Sequence, residues 1–347
     1  MENNELDEYR KSHINFNFLL FLTFITGVLL ITATYAWFYA SLDVRVEFVK
    51  IDISKEAGLS LSLDGINFSE TVEVTQDSIT KDLMNLYPTN TNQYPSSGLY
   101  PISTIGIQDP NQDKFQLYVS TRLKYLPGYP TLKRYLNVKK YEEVKSQPES
   151  TFLAFDLFVQ NATGSPYDDN FFLDEGTEIY LHDGYETNDG NYNSIRIGFL
   201  KMGTVSRRTD AATRQAIDCQ GHCEAYIYEP TAFAHSESSI KRARKIDINL
   251  VDGEYKPTYA VIADGKYMDI STGYSETGLF YDRRHFQEQI TRTELVGQLC
   301  TIANGITKFR VYVWLEGQDA DSLQTTSAGS LMTITLKFHK DLEGYNH

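Results

Sequence analysis

Residues 309–316 read FRVYVWLE and residues 331–338 read LMTITLKF, and these two stretches decide the fold class. Successive side chains of a β-strand point to opposite faces, so a period of two in hydrophobicity predicts a strand with one buried face. Both stretches show that period, as do three others along the chain. The predicted buried sets are Phe309-Val311-Val313-Leu315, Met332-Ile334-Leu336-Phe338, Val44-Val46-Phe48, Leu59-Leu61-Leu63 and Ile195-Ile197-Phe199.

The stretch TFLAFDLFVQ, residues 151–160, is apolar on both of its faces except at Asp156. Such a pattern is typical of a central strand that is covered on both sides. Six Asp-Gly or Asn-Gly pairs supply the positive φ angles of tight hairpins: Asp64-Gly65, Asp183-Gly184, Asp189-Gly190, Asp252-Gly253, Asp264-Gly265 and Asn304-Gly305. Residues 245–270 accordingly read as a three-stranded meander.

These signals predict a mainly β protein, a jelly-roll-like antiparallel sandwich, over residues 41–347. The polar stretches 85–113, 203–218 and 271–298 are predicted to be surface loops with one or two short helices. One continuous sandwich and two domains that divide near residues 145–150 are both consistent with the sequence.

Residues 18–40 read FLLFLTFITGVLLITATYAWFYA, without a single charge. A helix of ~20 apolar residues is long enough to cross a bilayer, and the aromatic residues at its end suit the membrane interface. Arg10 and Lys11 precede the segment, which favours a cytoplasmic tip at residues 1–13. We therefore expect residues 14–40 to be a transmembrane anchor or signal segment and the rest of the chain to lie outside the cytoplasm.

The fate of that segment has two interpretations. An uncleaved signal anchor fits its length, whereas Thr34 and Ala36 are small residues at the right spacing for signal-peptide cleavage between Ala36 and Trp37. The first predicts a single-pass membrane protein and the second a protein released to the cell surface. Either way, the membrane is a predicted partner through this segment.

Charge and composition limit the classes of partner that are expected besides the membrane. The formal net charge of −14 disfavours nucleic acid, and we read the basic run at residues 241–245 as a solvated loop or strand edge. The 24 tyrosines favour self-association or binding to other surface proteins, if they are exposed. The alternative is that many of them stand inside the sandwich with only their hydroxyls in water.

Few residues carry recognisable chemistry. The sequence holds no nucleophile elbow, zinc-protease helix, phosphate-binding loop or dinucleotide fingerprint, so no enzyme activity is predicted. Cys219 and Cys223 are close enough in sequence to form a disulfide, which would leave Cys300 as a free cysteine. The other interpretation, a metal site of both thiolates with His222, lacks a clear fourth ligand.

Calcium is the one cofactor that the sequence suggests. The acidic stretch 168–193 offers Asp168, Asp169, Asp174 and Asp189 as oxygen ligands, although their spacing does not match a helix-loop-helix calcium site. A smaller candidate follows at residues 316–321. The alternative is that these residues form ordinary solvated turns, with no metal.

The segment ITATYAWFYASLDV, residues 31–44, resembles the export segment of Gram-positive surface proteins of the TasA and camelysin class. The strands FRVYVWLEGQDADS, SIRIGFLK and AYIYEP are also similar to surface proteins of Firmicutes and related wall-less bacteria. The resemblance implies cleavage beside Ala36 and a mature β-sandwich that assembles into matrix fibres. It implies no catalytic residue.

Two functions from different classes follow. The first is a structural surface protein that assembles into extracellular filaments or biofilm matrix, with residues 42–53 passed between subunits as a donor strand that uses Val44, Val46 and Phe48. The second is a membrane-tethered monomeric adhesin or ligand-binding module, whose loops 85–113 and 168–193 bind calcium or a carbohydrate. An extracytoplasmic enzyme, a third class, would require an acid or metal cluster that the sequence does not show.

Overall fold

The computed structural model describes residues 18–26, 45–53, 58–81, 83, 87, 90–96, 98–102, 114–115, 117–124, 135–140, 143, 149–164, 166–174, 177–181, 194–220, 223–228, 259–260, 277–281, 286–287, 297–316 and 331–341. Within them the protein is mainly β, as predicted. Helix α1 covers residues 18–26, helix α2 covers Ala211–Gln215, and a short helical turn lies at Asp77–Lys81. Among the described residues, no helix combines the length and the apolar character needed to cross a membrane.

The first large sheet, sheet 1, has six strands in the described chain. They are β1 (Arg45–Ile53), β3 (Thr71–Val74), β9 (Asp169–Leu173), β10 (Glu178–Leu181), β16 (Gly297–Ile302) and β18 (Leu331–Asp341). Their order is β16-β9-β18-β1-β3, and β10 lies beside β9 along the same edge of β18. The pair β1 and β18 is parallel, whereas the other pairs of this sheet are antiparallel.

The second large sheet, sheet 2, has seven strands in the same part of the chain. They are β2 (Leu59–Ser62), β4 (Gln93–Pro95), β5 (Pro101–Ile102), β8 (Glu149–Asn161), β11 (Ile195–Val205), β12 (Glu224–Tyr228) and β17 (Gly305–Glu316). The order is β12-β11-β17-β8-β2, with β4 beside β8 and β5 parallel to β17. Two smaller sheets comprise β6 (Tyr118–Lys124), β7 (Tyr135–Lys140) and β14 (Thr277–Tyr281), and β13 (Tyr259–Ala260) with β15 (Phe286–Gln287).

The two large sheets share one apolar core. It contains the predicted buried faces of β17, β18, β11 and β2, so the period of two placed these strands correctly. Phe309 stacks on Phe171 and Phe338 stands edge-on to Phe199, which brings residues of sheet 1 against residues of sheet 2. The core therefore fixes which face of each strand looks outward.

Sheet 2 is covered on its outer face as well. Phe152, Ala154 and Leu200 point away from the shared core and form a second apolar cluster. The same cluster contains Ile227 of β12, and Phe115, which lies in none of the strands of sheet 2, packs against it. This arrangement confirms the prediction of a strand buried on both faces at residues 151–160.

The prediction that residues 85–113 form a surface loop is wrong for several of the described residues. Gln93 and Leu99 are fully buried, and Asn92 and Ile102 almost so. The physical reason is that this Asn- and Pro-rich segment is part of sheet 2, in which β4 pairs with β8 and β5 with β17. Leu99 therefore packs in the shared core, and Ile102 packs in an apolar cluster on the outer face of the sheet.

Strand β1 also departs from its prediction. Alternation placed Val44, Val46 and Phe48 on one face, but a β-bulge between Val46 and Phe48 shifts the register with β18. After the bulge the residues of the core are Val49, Ile51 and Ile53, while Phe48 is only half-buried. Val44 lies outside the described residues.

The turn predictions had mixed outcomes. Gly65 has φ of +71°, as expected of Asp64-Gly65, and an oxygen of Asp64 accepts the backbone N–H groups of Ile66 and Asn67 at 2.7 and 2.8 Å. Asn304-Gly305 does not close a hairpin, because it carries the chain from β16 in sheet 1 to β17 in sheet 2. The remaining four Asp-Gly pairs lie outside the described residues, as does most of the predicted meander.

Candidate functional site: a charged cleft on the outer face of sheet 2

A cleft of about 640 Å³ opens on the outer face of sheet 2. Its floor consists of Asp156 from β8 and of Lys308 and Arg310 from β17. These three side chains point outward because Leu157, next to Asp156, and Phe309, between Lys308 and Arg310, face the shared core. Arg310 lies directly across from Asp156 in the antiparallel pairing, so the two charges meet between neighbouring strands.

Arg310 is the centre of the floor. Its guanidinium donates to Asp156 Oδ1 at 3.0 Å, to Glu143 Oε2 at 2.8 Å and to the Thr91 carbonyl oxygen at 2.9 Å, and it also donates to Asn92 Oδ1. The Arg310 and Glu143 side chains are only 6% and 5% exposed. The planar guanidinium thus ties two strands of the sheet to the segment that covers it.

Lys308 and Asp156 form the more accessible half of the floor. The Lys308 ammonium lies 3.2 Å from Asp156 Oδ2 and donates to the Gln215 carbonyl oxygen at 2.7 Å. Burial on its own would raise the pKa of the Asp156 carboxyl, but Lys308 and Arg310 hold that pKa below the ordinary value of 3.8. Asp156 is therefore ionised at neutral pH, and the four charges of Lys308, Arg310, Asp156 and Glu143 balance.

Tyr312 adds a hydroxyl behind the floor. It donates to Glu143 Oε1 and is fully buried next to Phe115 and Phe152. Burial and the neighbouring Glu143 carboxylate raise its pKa well above 10, so Tyr312 stays a neutral donor.

The walls of the cleft come from two segments. One is helix α2 with the residues after it, and the other comprises the described residues between Leu83 and Asn92. Helix α2 is capped by Asp210, whose carboxylate accepts the Thr213 N–H at 3.0 Å. Gln215 and Tyr87, one from each wall, both donate to the Asp64 carbonyl oxygen, at 2.6 and 3.0 Å. The turn after β2 therefore holds the two walls together.

A disulfide lies just beyond the helical wall. Cys219 and Cys223 are bonded to each other, with their Cα atoms 5.1 Å apart, which is the first of the two interpretations of this pair. Cys223 packs into the second apolar cluster and its sulfur lies 3.8 Å from that of Met202. The bond holds the chain after α2 against sheet 2 before β12 begins.

The residues predicted to bind calcium do not come together in the described chain. Asp168 is exposed, Asp169 is buried, and Asp174 lies after β9 near His339, with 3.9 Å between its carboxylate and Nδ1. Asp189 lies outside the described residues. Within the described part of the chain, no three His, Cys, Asp or Glu side chains are grouped so as to hold a metal ion.

Asp169 belongs instead to a second buried polar cluster, at one end of the core. Lys340 Nζ lies 3.1 Å from Asp169 Oδ2 and donates to Asn161 Oδ1 at 2.9 Å, while Asn161 Nδ2 donates to Asp169 Oδ2 at 2.8 Å. The cluster joins β9 and β18 of sheet 1 to β8 of sheet 2. A lysine ammonium on the carboxylate neutralises the charge that a cation would need.

Part of the cleft could be predicted from the sequence. Asp156 stands out as the single charge in an apolar strand, and Lys308 and Arg310 alternate with apolar residues of β17. Period-two reasoning places Arg310 on an outward face, but nothing in the sequence shows which segments cover that face. The predicted cleavage residues Ala36 and Trp37 lie outside the described residues.

No family model, curated protein or solved structure matches this chain.

Proposed function

We propose that this chain is a structural cell-surface protein that assembles into extracellular filaments by exchange of strand β1 between subunits. In this proposal the two large sheets form a jelly-roll-like sandwich, and residues 14–40 either anchor it in the membrane or are removed between Ala36 and Trp37. The observation that carries the proposal is the position of β1. Among the described strands it is the first after the apolar segment, yet it lies inside sheet 1 between β18 and β3.

The burial of β1 explains why its place in the sheet cannot stay empty. Val49 and Ile51 are fully buried, and their neighbours in β18, Ile334 and Leu336, are fully buried too. Removal of β1 would expose this apolar surface and an unpaired backbone edge of β18. Either the chain's own β1 or that of a second copy satisfies the same edge, which is the condition for strand exchange.

The edge of sheet 1 at β3 favours exchange over simple edge addition. The Thr71 carbonyl oxygen accepts the Ser69 hydroxyl at 2.5 Å and the Glu73 carbonyl oxygen accepts the Ser78 hydroxyl at 3.1 Å. Acceptors that are already used by the chain's own side chains offer less to an incoming strand. A growing filament would therefore replace β1 rather than extend the sheet beyond β3.

Helix α1 supports the export part of the proposal. Its large apolar side chains are exposed to solvent, namely Phe18, Leu19, Leu20, Phe21, Leu22, Phe24 and Ile25. An apolar surface of this kind is suited to an apolar environment such as a bilayer.

Disulfide trapping tests the exchange directly. Lys50 of β1 and Thr335 of β18 are register partners on the outer face of sheet 1, and both are partly exposed. We expect the full-length Lys50→Cys/Thr335→Cys variant, oxidised on the surface of expressing bacterial cells, to run as a covalent ladder in non-reducing gels. Each bond would then join β1 of one copy to β18 of the next.

A matched control uses the other neighbour of Thr335. Glu178 of β10 is its register partner on the opposite side, and β10 is not exchanged in the proposal. The Glu178→Cys/Thr335→Cys variant should therefore give only monomers. A Lys50→Cys/Thr335→Cys protein that also stays monomeric, while its thiols are consumed, would mean that β1 remains in its own chain.

The second candidate function is the membrane-tethered monomeric adhesin or ligand-binding module. The observation in its favour is the cleft on sheet 2, which a purely structural protein does not need. A monomeric module predicts that the full-length protein in detergent stays dispersed in negative-stain micrographs, whereas the filament proposal predicts fibres.

A further inference from the structure

We propose that the cleft on the outer face of sheet 2 binds a neutral polyhydroxylated ligand, a short saccharide, with Lys308 and Asp156 as its polar contacts. The inference rests on the second candidate function, and it is independent of the exchange of β1 in sheet 1.

The charge balance of the cleft favours an uncharged ligand. Of the residues that line it, Lys114, Lys308 and Arg310 are cationic, and Asp156 and Asp218 are anionic. Glu143, behind the floor, neutralises the remaining positive charge through Arg310. A charged ligand would be left without a counter-charge in a half-enclosed site, and that carries a desolvation cost.

Arg310 is not available to an anion. Its two terminal nitrogens already donate to Asp156, Glu143, Thr91 and Asn92. A phosphate or carboxylate ligand would have to break these buried contacts, which makes an anion site the less favourable interpretation.

Lys308 and Asp156 can still form hydrogen bonds. Among the described residues, the Lys308 ammonium has two acceptors, Asp156 and the Gln215 carbonyl, for its three N–H bonds. Each Asp156 oxygen has one cationic donor and so retains a lone pair, and the side chain is 17% exposed. The pair thus offers a donor and an acceptor about one hydrogen bond apart.

A sugar hydroxyl meets both requirements at once. It donates to the carboxylate and accepts from the ammonium, and a neighbouring hydroxyl on the same ring can repeat the contact. A ligand with only donors or only acceptors would satisfy one of the two groups and leave the other unpaired.

The size and walls of the cleft fit one or two sugar rings. Its volume of about 640 Å³ lies within the range of ~300–1,000 Å³ that is usual for small-molecule sites. Ala212 and Ala216 of the helical wall have small side chains, and Leu83 and Tyr87 on the other wall offer apolar surface to the C–H faces of a ring.

Saturation-transfer NMR with four neutral disaccharides tests the inference: maltose, cellobiose, lactose and N,N′-diacetylchitobiose. The full-length protein is held in a polyoxyethylene detergent, because sugar-based detergents would compete. We expect at least one disaccharide to bind, and phosphate and citrate to leave its signal unchanged. Displacement by phosphate or citrate would identify an anion site, and absence of binding by all four would overturn the inference.

Three variants locate the site. Lys308→Met removes the donor, and Ala212→Trp fills the cleft from an exposed position of α2. Each should weaken binding at least tenfold. Lys201→Met is the matched control, because Lys201 is also a strand lysine paired to a carboxylate, Glu224 at 3.1 Å, and it is not among the residues that line the cleft.

The control should bind like the parent protein. If Ala212→Trp binds as tightly as the parent, the ligand does not occupy the cleft, and the inference fails. Thermal unfolding of each variant separates loss of binding from loss of folding. The disulfide trap between β1 and β18 remains a separate measurement, so failure here leaves the filament proposal standing.

Discussion

Replacement of Arg310 by methionine tests the idea that one buried guanidinium holds the cover of sheet 2 in place. Methionine keeps much of the side-chain length and packs in apolar surroundings, so the change removes the charge and the donors with little loss of volume. Glu143 then keeps only the Tyr312 hydroxyl among its described partners, and Asp156 keeps Lys308.

The expected cost follows from the burial of these groups. Removal of one partner of a buried ion pair typically costs about 3–5 kcal/mol, because the remaining carboxylate is left without its counter-charge. Lys308 retains part of the partnership with Asp156, so we expect about 3 kcal/mol here. With a slope of ~3 kcal/mol per molar urea, the unfolding midpoint should fall by about 1 M.

Urea unfolding followed by tryptophan fluorescence measures the effect, because Trp314 is fully buried in β17, the strand that carries Arg310. Arg310→Lys is the control: it keeps the charge but not the planar fork, and it should lose less stability than Arg310→Met. A midpoint within about 0.2 M of that of the parent protein, roughly a fifth of the expected shift, would show that the network contributes little to stability.

The pH dependence of the same variant gives a second measurement. The pKa of Asp156 is lower in the folded protein than its ordinary value of 3.8. The unfolded chain therefore binds a proton first as the pH falls, and the stabilisation that is present above about pH 4 is lost as the pH falls through the folded pKa. Arg310→Met removes one of the two cations and should make this acid loss smaller.

The remaining predictions concern other parts of the two sheets. Lys340→Met should cost about 3–5 kcal/mol in urea unfolding, because it leaves Asp169 charged and buried; an unchanged midpoint would contradict this. Gly305→Ala should lower the thermal midpoint, because a Cβ there would lie 2.4 Å from the Val205 carbonyl oxygen. Tyr312→Phe should reduce the loss of stability above pH 10: the pKa of Tyr312 is raised in the folded protein, so stability is present below pH 10 and is lost as the pH rises through the folded pKa. An identical alkaline profile for parent and Tyr312→Phe would refute that assignment.

The buried face of a strand was predictable where the alternation of apolar and polar residues alone decided it. β17 and β18 follow the period of two without interruption, so their inward residues were predicted correctly. The inward residues of β1 were not predicted correctly, because a bulge adds a residue between Val46 and Phe48. The position of β1 is set by pairing with β18, which lies about 290 residues later in the chain.

The pairing of buried polar residues was the other feature that the sequence did not predict. Lys340 follows Phe338 on the inward side of β18, but a lysine at the end of an apolar row ordinarily reaches solvent. Asp169 resembled a loop ligand for calcium because its neighbours are acidic. Only the approach of β9, β18 and β8 pairs it with Lys340, and no local pattern encodes that approach.

The sequence by itself determined that this protein is mainly β and which face of its longest strands is buried, because both follow from the local alternation of side chains along an extended backbone. Only the tertiary structure decided how those strands are shared between two sheets, that β1 lies inside a sheet beside the last strand, and that Asp156, Lys308 and Arg310 form the floor of a cleft. These features depend on contacts between residues far apart in the chain, whose free energies local sequence does not reveal.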